Sequence, residues 1–161
     1  MKTKIAIAIA MMASVLTGLA QASGNITISG TVANSTGITV VSQTGYNSLN
    51  IAGGVSGQTV AIATETSNDK NGYTVKLTTA NAPTGTAAFL KGVTGNADQV
   101  PYTMTYNGVA VTLIAGSATV TSASARTPST GLAKNLNVTI PAVWVNADTY
   151  NDTITLTVAA L

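Results

Sequence analysis

Residues 102–113 read "YTMTYNGVAVTL". Asn107-Gly108 sits between two runs that alternate apolar and polar side chains. Asn-Gly tolerates positive φ at both positions, so the stretch predicts a two-residue β-hairpin turn of type I′. Tyr102, Met104 and Tyr106 share one face of the first run. Core packing is the plain reading of that face, and an aromatic strip offered to a receptor is its competitor.

The same period of two spreads in both directions. "DKNGYTVKL" (69–77) carries a second Asn-Gly before a run in which Tyr73, Val75 and Leu77 share a face. "DTITLTVAAL" (152–161) sets Ile154, Leu156, Val158 and Ala160 against Thr153, Thr155 and Thr157. "GNITISGTV" (24–32) sets Ile26, Ile28, Gly30 and Val32 against Asn25, Thr27, Ser29 and Thr31. Strands are expected near 25–33, 38–42, 47–52, 58–66, 73–80, 99–106, 109–115, 117–122, 134–140 and 152–160. Residues 81–99 read as a long loop with one helical turn at Ala87–Lys91, and 124–134 as a polar loop. Pro141 closes the strand before it. Many short strands with Gly-rich turns predict an all-β fold, a sandwich in preference to a barrel.

The chain opens "MKTKIAIAIAMMASVLTGLAQASGN". Lys2 and Lys4, an apolar run and Ala20-Gln21-Ala22 have the layout of a secretory signal cleaved after Ala22. Removing it leaves 161 − 22 = 139 residues, the size of one domain. The remaining basic residues are Lys70, Lys76, Lys91, Arg126 and Lys134, and the acidic ones Glu65, Asp69, Asp98, Asp148 and Asp152. They cancel, which argues against nucleic acid as a partner. The chain has no Cys, although export would allow disulfides, so packing and backbone pairing must supply its stability.

The first and last strands of the exported chain are long, alternating, and free of Pro and internal charge. Edge strands are ordinarily protected by such residues. Either these two pair with each other, or they pair between molecules.

The ordered set "NITISGTV", "NGYTVKL", "VPYTMTYNGVAV" and "YNDTITLTVAAL" resembles the chaperone–usher pilins over nearly the whole exported chain. Lack of Cys sets the chain apart from type 1-like subunits and brings it nearer the alternate (colonisation-factor-type) and archaic (spore coat protein U-like) pilins. The resemblance implies an incomplete immunoglobulin-like sandwich at 34–161 and a donor-strand extension at 23–33. It implies polymerisation by donor-strand exchange, in which the extension of one subunit fills the groove of another. The donor face would be Ile26, Ile28, Gly30 and Val32, with Gly30 suited to a shallow pocket. The last-strand wall of the groove would include Ile154, Leu156 and Val158, with Tyr150 near its start. Implied partners are identical or related subunits, a periplasmic chaperone, an outer-membrane usher, and a host or abiotic surface met by the fimbria. The alternative is a secreted sandwich that completes its own fold and binds a carbohydrate or surface.

No catalytic residue, cofactor or metal is expected. Without His or Cys there is no Ser–His or Cys–His pair. Asp148 and Asp152 read as solvated turn residues more readily than as an acid–base pair. Neither they nor Asp69 lie in a calcium-loop spacing. Four Asn-x-Thr/Ser tripeptides, at Asn25, Asn34, Asn137 and Asn151, are ordinary for an Asn- and Thr-rich chain. Trp144 reads as packing beside Val143 and Val145, with sugar stacking as the rival role.

Overall fold

The computed structural model describes residues 25–161. The signal expected at 1–22 lies outside them. The chain divides into two units, one ending at Val32 and one comprising Ala33–Leu161.

Within the first unit, residues 25–32 form no strand and are exposed. The strand expected over 25–33 is therefore not formed in the isolated chain. Its alternation supplies side chains but no neighbour to bond the backbone, and an extended segment alone is not stable.

The second unit is all-β. β1 (Thr36–Ser42), β2 (Val55–Ser67), β8 (Leu132–Ile140), β5 (Gln99–Tyr106), β4 (Ala88–Gly92) and β9 (Tyr150–Asn151) lie side by side in that order, with β6 (Val109–Ala110) also on β5. β10 (Ile154–Ala160), β3 (Tyr73–Thr79) and β7 (Ser117–Ala123) make the second sheet. All pairings are antiparallel. The two sheets form a sandwich, an arrangement consistent with the immunoglobulin-like class.

The predicted alternation sets the core. Tyr73, Val75 and Leu77 are fully buried, and Tyr102, Met104 and Tyr106 are buried too, so that aromatic face is core and not a receptor strip. Leu77, Tyr102, Met104 and Tyr106 cluster with Val100, Leu136, Val138 and Ile140. Asn107 and Gly108 take φ values of 50° and 81°, the pair of positive angles a type I′ turn demands.

Three expected elements differ. Residues 47–52 make turns, with Ser48 N on Gly45 O and Gly54 N on Ile51 O; Leu49 and Ile51 anchor this segment to the core without a ladder. Ala87–Lys91, expected as a helical turn, lies mostly in β4, because pairing with β5 and β9 outweighs the helix-forming composition of "AAFLK". The strand expected at 109–115 shrinks to β6: after Val111 N bonds Met104 O, the chain turns through Ala115 and Gly116, at φ 49° and 73°, into β7. A Cβ on Gly116 would lie 2.1 Å from Pro83 O, so this crossing requires glycine.

Candidate functional site

Among the described residues, β1 and β10 are each bonded on one edge only, to β2 and to β3. Their other edges flank an apolar groove of about 540 Å³. Val40 and Leu49 form one lip. Val60, Leu136 and Ile140 contribute from the larger sheet, and Ile154 and Leu156 from β10. Neither β1 nor β10 contains a charged residue or Pro within its length. The backbone N–H and C=O groups along these edges therefore lie open to an added strand.

The lining also carries Ser42, Thr153 and Thr155, and one hydrogen-bonded polar pair. Tyr102 donates its hydroxyl to Asp152 Oδ2 at 2.8 Å. Asp152 Oδ1 accepts from the amides of Asn81 and Thr153 at 3.0 and 2.7 Å. Asp152 thus fixes the corner where the chain enters β10, which corrects its expected place as a solvated turn residue. Burial, and then the Asp152 charge, push the Tyr102 hydroxyl far above its ordinary range, so it stays a donor at any physiological pH.

Of the predicted groove residues, Ile154 and Leu156 line the cavity. Val158 is half-buried further along β10. Tyr150 stands outside the lining, in β9. Its hydroxyl donates to Asn146 O at 2.8 Å and approaches Asp98 Oδ2 at 3.3 Å. Asp148 is also a fixed group, accepting from the Thr94 and Thr149 amides at 3.0 and 2.7 Å. Of the predicted donor residues, Ile26, Ile28 and Val32 are 89%, 92% and 90% exposed. Gly30 has nothing within 4 Å of a built Cβ.

Trp144 corrects its expected packing role. Val143 and Val145 do pack on the core, but the indole between them is 99% exposed.

A second constellation was not anticipated from the sequence. Glu65, on β2, is fully buried between the sheets. Its Oε1 accepts from Tyr106 and Thr121 at 2.7 and 2.8 Å, and its Oε2 from Tyr73 and Lys134 at 2.9 and 2.8 Å. Burial alone would raise this carboxyl; Lys134 and the three hydroxyls outweigh it and hold the pKa below the ordinary 4.5. The Tyr73 hydroxyl is pushed up to about 12 by burial and by Glu65. Every lone pair direction of the carboxylate is occupied by protein, and Lys134 Nζ also bonds Thr121 Oγ1 at 2.8 Å. The pattern is that of a structural clamp, with no open side for a substrate. Its signal was present in the parity of β2, where Ala61, Ala63, Glu65 and Ser67 all point inward.

Among the described residues, no group of three or more His, Cys, Asp or Glu could hold a metal ion. No protein-family model matches the chain, and no curated protein matches it.

Proposed function

We propose that the chain is a structural subunit of a bacterial surface fibre, exported with a periplasmic chaperone, assembled at an outer-membrane usher, and polymerised by donor-strand exchange. The observation that carries this reading is the apolar groove between two open, uncharged strand edges, in a chain that also presents Ile26, Ile28 and Val32 in alternation on an exposed extension. Groove and extension are complementary: one lacks a strand, and the other has a strand's alternation but no sheet to join. A strand added from another copy satisfies the open backbone edge whatever its sequence, and the alternation sets its register. Each Ile or Val so buried contributes about 1.5–3 kcal/mol. Three of them with a ladder make a joint that opens slowly, which a load-bearing filament requires.

The test is an unboiled gel of surface-sheared material, run beside a chain lacking Ser23–Ala33. The native chain is expected to give a ladder that collapses to monomer on boiling. The truncated chain is expected to fold with the chaperone and give no ladder. A single monomer band from the native chain, or a truncated domain that cannot fold even with the chaperone, would favour a self-contained binding module instead.

A further inference from the structure

The domain has two ends, and the strand pairings place them. At one end lie Ser35, the close of β2 at Ser67, and Arg126–Ser129, with Thr127 N on Ser67 O at 2.9 Å. At the other lie the close of β8 at Ile140, the start of β10 at Ile154, and the connection from Pro141 to Thr149. Trp144 belongs to this far end.

The connection is rigid where it holds Trp144. Val143 and Val145 pack, half-buried, against the core, so the alternating backbone turns the indole outward. Asn146 N donates to Asp98 Oδ2 at 2.8 Å, and Tyr150 pins Asn146 O. Asn96 donates to Asp148 at 2.6 Å. These neighbouring polar groups bond inward, so they have little left for the hydroxyls of a sugar. What remains for recognition is the ring itself, carried on a backbone that its neighbours already fix, so that binding has only the side chain left to order. That favours an apolar or cationic protein surface over a carbohydrate.

Strand exchange supplies such a surface. The inference that follows rests on that reading. An incoming strand antiparallel to β10 leaves the groove beside Ile154, at the far end of the acceptor copy. A parallel strand would leave at the end where the acceptor's own extension begins and would crowd it. From Val32 to Thr36 the chain can span at most about 14 Å. The near end of the donor domain is therefore tethered against the far end of the acceptor, where Trp144 projects.

We propose that Trp144 of the acceptor copy packs against Arg126 and Pro128 of the donor copy. Beside Ser35, Arg126 and Pro128 line a shallow hollow of about 590 Å³. Arg126 is exposed and has no salt bridge among the described residues. Its guanidinium can lie on the indole face, and the proline ring gives a flat apolar rim. Residues 33–35 are bonded to their own domain, with Asn68 Nδ2 on Ala33 O at 2.8 Å and Ser35 N on Asn68 Oδ1 at 2.7 Å, and the second contact sets the angle between successive domains about the short link that precedes them.

The chain has a single Trp, so the intrinsic tryptophan fluorescence of its purified fibres belongs to Trp144. In native fibres, acrylamide is expected to quench it severalfold less than free N-acetyltryptophanamide. In fibres of the Arg126→Ala/Pro128→Gly variant, quenching should rise toward the free value while the boiling-sensitive ladder persists. Full quenching in native fibres that still give the ladder overturns the contact and leaves strand exchange standing. Protection that is unchanged in the double variant overturns Arg126 and Pro128 as the partner. Loss of the ladder from the native chain overturns strand exchange and the contact with it.

Discussion

Glu65 and Leu156 both stand where the two sheets meet, and their surroundings are opposite. Around Glu65, four donors from β3, β5, β7 and β8 converge on one carboxylate, and nothing is left for a partner to supply. Around Leu156, β10 and β1 approach without a shared ladder, and the space between them is apolar and open. The difference separates two tasks. A buried charge tolerates no incomplete shell, so the polar seam must be finished within one chain. An apolar seam with open backbone edges costs less to leave unfinished, and its completion can be delegated to another molecule.

Breaking the closed seam should have the largest effect. Lys134→Ala leaves Glu65 buried without its counter-charge and is expected to destabilise the domain by about 3–5 kcal/mol in urea unfolding. A loss below about 1 kcal/mol, the range of an exposed pair, would mean that the clamp is not structural.

Acid should act next, and through the same group. The folded pKa of Glu65 lies below the unfolded 4.5, so the clamp's contribution is fully present above that value. It is lost as pH falls through the folded pKa, at about 1.4 kcal/mol for each unit separating the two. Melting temperature should therefore drop below pH 4.5, with a shallower drop in Glu65→Gln. Parallel profiles for the two proteins would assign the acid sensitivity elsewhere.

The smallest effect should come from the open seam. Leu156 is only half-buried in the single chain, so Leu156→Ala should cost the isolated domain about 1 kcal/mol, well under the 2–5 of a core leucine. On the strand-exchange proposal, the temperature at which the ladder collapses should fall much further. Equal effects on domain and fibre would erase the distinction between the two seams.

The features legible in the sequence are those specified locally. Asn107-Gly108 readily takes positive φ at both positions between two alternating runs, and Tyr73, Val75 and Leu77 show their buried face by period alone. β4 was hidden because its strand character comes from β5 and β9, far off in sequence. Glu65 looked like one more polar residue in "TETS", because its partners arrive from four other strands. The exposure of Trp144 was obscured by its neighbours: Val143 and Val145 pack, and the alternation that buries them turns the indole out. Tyr150 matched a pattern near the last strand, yet its hydroxyl serves the preceding connection.

The open edge of β10 has one more consequence. Backbone groups do not distinguish one extended chain from another, and "TITLTV" has the β-propensity and lack of charge of segments that stack into fibrils. The edge alone thus cannot choose its occupant. On the strand-exchange proposal, the choice falls to the groove's side chains and to the order of encounters, and the interval before a strand occupies the edge is when this segment is most open to mispairing.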